Sequence, residues 1–377
     1  MRRLEIRTKS RRQVYDITVG RGVLPLAGNV ARDSFGKSAT RIAILSNERV
    51  FSLYGSVVRD SLAASGFTVW HWLMRDGERH KSLTTTEAAV HFLAAKGLDR
   101  GDGVVALGGG VVGDLAGFAA SIYLRGIPFI QIPTTLLAQV DASVGGKTGV
   151  NLAAGKNLVG SFHQPRAVIA DLQTLTTLPR RELVAGWCET VKQGAVGSRQ
   201  LFDQTTRYLD KFDSHKISLN SYLEKLIAEH CAFKASIIAA DEREEANYRD
   251  HRSRRILNFG HTIAHALETV TNYRRFRHGE AVGHGMLVAG ELSKNLGLLQ
   301  QSELELLAEA VRLCGPLPPA NDIDKSAIMG ALVRDKKRSA GHIQWVLLER
   351  LGRARIVDEK EISSKLVRQS LRAGLKN

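Results

Sequence analysis

Short apolar runs alternate with longer helical stretches through the first half of the chain. Arg41-Ile42-Ala43-Ile44-Leu45, Phe67-Thr68-Val69-Trp70, Val104-Val105-Ala106-Leu107, Phe129-Ile130-Gln131-Ile132 and Ala167-Val168-Ile169-Ala170 each have the pattern of a strand. Strands alternating with helices from about residue 13 to 175 predict βαβ units around a mostly parallel sheet. Beyond Leu178-Pro179 the periodicity becomes almost wholly helical, over 181–196, 219–240, 262–270, 281–295 and 302–313. A late strand is predicted at 343–348 behind Gly341, and Pro316, Pro318 and Pro319 mark the loop between it and the helices. The change of pattern divides the chain into an α/β part, 1–178, and a mainly helical part, 179–377.

Composition narrows the class. A chain of 377 residues is long enough for two cores, and 44% hydrophobic with 24% charged residues describes a globular protein rather than a disordered one. No apolar run reaches the roughly 20 residues a membrane helix needs, and no apolar segment follows the basic start MRRLEIRTKSRR, so neither a membrane span nor a secretory signal is expected. Cys188, Cys231 and Cys314 are far apart, without a CxxC pair, and are expected as buried, reduced thiols of a cytoplasmic protein. The net charge of +15 calls for an anionic partner. Aromatic content of 6% and the absence of a nucleic-acid motif argue against a polyanion. The basic groups at 249–255 and 274–277 flank histidines instead, which favours a small anionic substrate, over a surface whose charge is mostly solvated.

The richest chemistry lies between Leu107 and Thr148. Glycines 108–110 follow the Val104–Leu107 run and open a helical pattern, with Asp114 expected in its first turn. Strand, glycine turn and helix let backbone N–H groups approach a phosphate at the helix N-terminus, although the same turn also serves as a plain tight connection. Thr134 and Thr135 end the next apolar run, and Asp141-Ala142-Ser143-Val144-Gly145-Gly146-Lys147-Thr148 follows. Hydroxyls, a carboxylate and a lysine in strand-end loops suit a site at the carboxyl edge of a parallel, Rossmann-like sheet binding a pyrophosphate cofactor.

The helical part supplies metal-binding chemistry. In NFGHTIAHALE, residues 258–268, His261 and His265 share a helix face; His278 opens HGEAV, and Glu189 lies one turn before Lys192. Two imidazoles and a carboxylate leave room for a substrate on a divalent cation, as catalytic zinc sites do. A histidine pair without HExxH is also commonplace on helix surfaces, and Glu189 with Lys192 could be a simple surface ion pair.

Taken in order, the glycine segment to Gly160, LPRRELVAGWCETVK at 178–192, DERE at 241–244, NFGHTIAHALE, HGEAV and RDKK at 334–337 resemble the 3-dehydroquinate synthase family. The resemblance runs from about residue 15 to 348. It implies an N-terminal NAD-binding domain and a helical metal- and substrate-binding domain, with NAD and a divalent metal, zinc or cobalt, as cofactors. It implies metal ligation by Glu189, His261 and His278, so His265 is expected beside the metal rather than on it. It implies NAD contacts at Asp76, Gly77, Glu78 and Lys81, at Gly110, Val111, Val112, Gly113 and Asp114, and at Thr134, Thr135, Lys147 and Lys156. The loop Thr174, Leu175, Thr176 and Thr177 completes that set. Substrate and catalytic positions fall on Asp141, Lys147, Asn157, Lys192, Lys234, Arg254, Asn258 and His265, with Lys336 chosen over Lys337. Arg125 matches an arginine that reaches a neighbouring subunit's site, which implies a homodimer.

The expected reaction converts 3-deoxy-D-arabino-heptulosonate 7-phosphate to 3-dehydroquinate and phosphate. The basic loop 245–253 departs from the pattern and leaves Arg255 as a competitor to Arg254, and His284 stands where a small residue is usual. Alternatives are another sugar phosphate cyclase, a metal- and NAD-dependent polyol dehydrogenase, and a basic binding protein without turnover.

Overall fold

The computed structural model describes residues 14–211, 217–245, 248, 250–338 and 344–376, with the side chains of 335–338 outside that description. The first part is a sheet of six parallel strands: β1 (Asp16–Gly20), β2 (Arg41–Asn47), β3 (Thr68–Met74), β4 (Gly103–Gly108), β5 (Phe129–Pro133) and, after a hairpin, β8 (Ala167–Asp171). Its order is β1-β8-β5-β4-β2-β3. The hairpin, β6 (Lys147–Leu152) with β7 (Gly155–Phe162), forms a small antiparallel sheet of its own.

Alternation along the strands sorts the core into two layers. Ala43, Leu45, Val104 and Ala106 pack under α3 (Leu83–Ala95) and α4 (Gly110–Ile122). Ile42, Ile44, Val105 and Leu107 face α1 (Ala27–Phe35) and α2 (Glu48–Ala64). Each Val, Leu or Ile among these contributes about 1.5–3 kcal/mol by leaving water. With helices on both faces, the crevice opens where strand order reverses, between the carboxyl ends of β2 and β4.

The second part is helical: α5 (Arg180–Gly197), α6 (Arg199–Asp210), α7 (Ser221–Ala240), α8 (His261–Val270), α9 (His278–Asn295), α10 (Gln301–Leu313), α11 (Lys325–Arg338) and α12 (Ser364–Gly374). The expected late strand is β9 (Gln344–Arg350); its antiparallel partner β10 (Arg353–Asp358) was not foreseen, and Gly341 and Ile343 lie outside the described residues. Buried Trp187, Phe202, Phe259 and Leu267 belong to the core of this part. Among the described residues no helix is long and apolar enough to cross a membrane.

Candidate active site

The glycine turn forms as read, with β4 ending at Gly108 and Gly109 heading α4. No side chain caps that helix, so its first N–H groups keep their capacity for an anion. Gly113 has a different purpose: a Cβ there would meet Gln131 Oε1 at 2.7 Å, so this glycine serves helix–strand packing. Asp114 corrects the sequence reading, because it lies past the first turn of α4. It meets Lys81 Nζ at 2.5 Å, and Lys81 also donates to Asn157 Oδ1 at 2.6 Å. Burial pushes the Asp114 carboxyl up, and the Lys81 ammonium opposes that shift.

Other expected cofactor contacts gather along the same edge. Asn47, at the end of β2, donates to Asp76 Oδ1 (3.2 Å), and Asn151 donates to Glu78 Oε1 (2.8 Å). Gly77 has φ +102, a backbone shape that favours glycine. Thr135 Oγ1 accepts from Ala138 N at 3.1 Å, while Thr134 is buried. The side chains of the 174–177 loop are engaged locally. Leu175 is in the core, the Thr174 hydroxyl donates to Asp171 O at 2.7 Å, and Thr177 bonds Tyr54.

Two glycine contacts and one ion pair shape a candidate metal site. A Cβ at Gly279 would fall 1.9 Å from Ala185 O, so only glycine lets the start of α9 rest on α5. Gly260, at φ +79, turns the chain into α8 against α9. Glu280 is buried, accepts from Arg277 N at 2.7 Å and pairs with Arg181 Nε of α5 at 2.6 Å. These contacts set His278, the first residue of α9, beside Glu189 of α5. Nε2 of His278 lies 3.5 Å, and Nε2 of His261 lies 3.9 Å, from Glu189 Oε1. Ligands about 2.1 Å from a tetrahedral ion stand about 3.4 Å apart, close to this spacing. Glu189 is fully buried, and its Oε1 has no hydrogen-bond partner among the described residues. An orphaned buried carboxylate oxygen facing two imidazole nitrogens fits a divalent cation well. His265, one turn along α8, is exposed, with its ring centre 5.6 Å from His261 and 6.0 Å from His278.

Cations crowd around this centre. Lys192, buried, meets Glu189 Oε2 at 2.6 Å; Lys234 donates to Asp141 O and pairs with its carboxylate. The surface-pair reading of Glu189 with Lys192 therefore fails. Burial alone would raise the Asp141 carboxyl, but Lys234 and Lys192 hold it well below the usual carboxylate range. Burial works the same way against Lys192, whose ammonium Glu189 and Asp141 nevertheless keep above its usual range. Burial lowers Lys234 and, strongly, His261. Of the two candidates in that loop, Arg254 is buried and donates to Gly145 O (3.0 Å) and Glu242 O (2.7 Å), whereas Arg255 turns to Gln344. Lys192, Lys234 and Arg254 meet the Asp141 and Glu189 carboxylates here, and their ammonium and guanidinium donors are the chemistry that would hold an anion.

Lys147 and Asn258 are joined by a residue not foreseen, Glu244, which pairs with Lys147 and accepts from Asn258 Nδ2 at 3.1 Å. Its only sequence signal was the close of DERE. Arg125 stands apart, exposed at φ +66 in a cavity of about 370 Å³ with Arg100, His163 and Arg166. His284 is turned away to Pro318 O (2.8 Å), and the side chain of Lys336 lies outside the described residues.

Residues 71–185 match the N-terminal, and residues 186–338 the C-terminal, family model of 3-dehydroquinate synthase. The chain belongs to the 3-dehydroquinate synthase family. It is 43% identical to 3-dehydroquinate synthase of Geobacter metallireducens, covering 93% of this chain and 94% of that one. The Nostoc sp. enzyme of the same name is 41% identical over 95% of this chain and 96% of its own. Among solved structures, 2-epi-5-epi-valiolone synthase of Streptomyces hygroscopicus, with NAD+ and Zn2+ bound, superposes with TM-score 0.85 at 26% identity, covering 97% and 98%. A 2-deoxy-scyllo-inosose synthase complexed with carbaglucose-6-phosphate, NAD+ and Co2+ gives 0.80 at 26% identity, covering 95% and 96%. Glycerol dehydrogenase of Schizosaccharomyces pombe, at 15% identity and TM-score 0.65, shares the fold alone.

Proposed function

We infer that this chain carries out its family's reaction, converting 3-deoxy-D-arabino-heptulosonate 7-phosphate to 3-dehydroquinate and phosphate as an NAD- and divalent-metal-dependent lyase. The observation that carries the reading is the buried Glu189 oxygen facing His261 and His278, with Lys192 on its other oxygen. Glu189, His261 and His278 would hold zinc or cobalt, and the ion, when bound, makes a sugar hydroxyl more acidic. NAD, when bound at the α4 N-terminus, supplies a hydride acceptor restored within each turnover.

The chain's own residues bind, orient and move protons. Lys147, Lys192, Lys234, Arg254 and Lys336 bind the substrate's carboxylate and phosphate. Asp141 keeps Lys192 and Lys234 in place, and Glu244 aligns Lys147 with Asn258. His265, exposed with its ring 5.6 Å from that of His261 and 6.0 Å from that of His278, would hold a proton for the base step. With its hydride passed to bound NAD, one hydroxyl would become a ketone that acidifies the adjacent C–H; loss of that proton would expel phosphate, the hydride would return to the ketone, and ring opening would unmask the second carbonyl for aldol closure.

Domains of 1–178 and 179–377, parted at Leu178-Pro179, would carry cofactor and metal respectively; β8 ends before that boundary and α5 begins after it. Arg125, outside its own site, would act in a partner's site within a homodimer. Three buried free cysteines favour the cytoplasm. Glu189→Gln and His278→Ala proteins are expected to lose bound metal and phosphate release together. Full activity in either, with metal content unchanged, refutes the ligand set.

A further inference from the structure

On α8, His261, His265 and Glu268 fall at i, i+4 and i+7 and share one face, while Ile263, Ala264, Ala266 and Leu267 are buried. The side chain of Glu268 is only 2% exposed. A buried carboxylate must be compensated by cations or donors. Lys156 Nζ, from the β6–β7 hairpin, lies 3.0 Å from Oε1, and His278 Nδ1 lies 3.4 Å from the same oxygen. Lys156 is held in turn over the Tyr273 ring, 4.6 Å from its centre, and Tyr273 N donates to Glu268 O at 2.8 Å.

An ionised carboxylate only accepts hydrogen bonds, so the proton of this contact sits on His278 Nδ1. Metal ligation needs a neutral ring, whose lone pair would then be on Nε2, the nitrogen 3.5 Å from Glu189 Oε1. His261 repeats the arrangement, with Nδ1 3.2 Å from Phe259 O and Nε2 toward Glu189. His265, Glu268 and His278 could also be grouped as ligands of a different ion. The Lys156 ammonium at 3.0 Å already occupies the charge-balancing role there and opposes a second cation.

We propose that Glu268 is a positioning residue that fixes the Nδ1–H tautomer of His278, presents its Nε2 to the metal, and ties that ligand through Lys156 to the cofactor-side hairpin. The proposal rests on the reading that Glu189, His261 and His278 hold the metal. Metal-ligating histidines commonly donate their second nitrogen to a carboxylate, and losing that partner costs 10- to 100-fold in metal affinity.

Cobalt(II) titration of the metal-free protein, followed by its visible absorption, separates the possibilities. Wild type is expected to give a Glu189-dependent cobalt spectrum. Glu268→Gln, which keeps an acceptor oxygen, should bind about 10-fold more weakly with a shifted spectrum, and Glu268→Leu about 100-fold more weakly. Wild-type cobalt binding indifferent to Glu189→Gln would overturn the metal reading, and this inference with it. A normal wild-type spectrum, reproduced with affinity within about threefold by Glu268→Leu, would overturn the inference alone. Because Glu268→Leu could misfold, nitrogen-15 NMR of histidine-labelled wild type with zinc gives an independent answer. It should show His278 protonated at Nδ1 and metallated at Nε2; metallation at Nδ1 contradicts the proposal.

Discussion

Lys192 and Lys147 carry the same charge but do different work. Lys192 is 1% exposed, against Glu189 and near Asp141, so its ammonium is part of the buried framework as well as the site. Lys147 is 48% exposed and reaches Glu244 from the β6–β7 hairpin. Lys192→Met is therefore expected to destabilise the metal-free protein by about 3–5 kcal/mol in urea denaturation, by leaving buried carboxylates unpaired. Lys147→Ala should shift stability by no more than about 1 kcal/mol and retain metal, yet slow turnover. Equal destabilisation by both would contradict the distinction. The sequence named both lysines, because motif order places them. It did not single out Glu244 or Glu268, whose roles depend on contacts with residues 97 and 112 positions away. Spacing along the chain does not report such long-range pairs.

Helices α5, α6 and α7 meet at a polar bridge inside an apolar core. His230 is fully buried, with Nδ1 3.1 Å from Gln193 Oε1 and Nε2 2.9 Å from the Thr205 hydroxyl. Gln193 in turn donates to Val140 O at 2.9 Å, next to Asp141. Burial holds the His230 imidazole down to about 3, so it stays neutral while the unfolded chain titrates at its ordinary 6.5. The folded group has the lower pKa, so the unfolded state takes up the proton first as pH falls. The stability present above pH 6.5 is therefore lost between 6.5 and about 3. Between pH 7 and 5.5 this group should cost about 1 kcal/mol, and His230→Gln should remove that component of the slope. The same pH slope in variant and wild type would contradict it. Most helices were legible because apolar periodicity reports a buried face. The β6–β7 hairpin was not, since Gly145, Gly146 and the hydroxyls around them resemble a loop. Similarly, α9 starts three residues before the predicted 281, because His278-Gly279-Glu280 is polar and is held by Arg181 and the Gly279 approach instead.

Across the whole molecule, a parallel sheet presents an uncapped helix terminus while a helical half gathers a carboxylate, imidazoles and lysines. The α/β-then-α architecture was readable from the change in periodicity near residue 178, but the strand order that places the crevice was not. Arg125 tests the assembly. If it works in a neighbouring subunit, mixing the slowed Arg125→Ala and Lys147→Ala proteins should restore full turnover at about a quarter of the sites, because half the dimers carry one intact site. No recovery would place Arg125 in its own chain's chemistry. Metal and NAD are inferred to act together within one turnover. Phosphate release from 3-deoxy-D-arabino-heptulosonate 7-phosphate, followed with and without NAD and a chelator alongside absorbance of NADH, tests it most directly. Release that requires both cofactors without net NADH agrees with the account; release indifferent to chelator and NAD, or stoichiometric NADH, contradicts it.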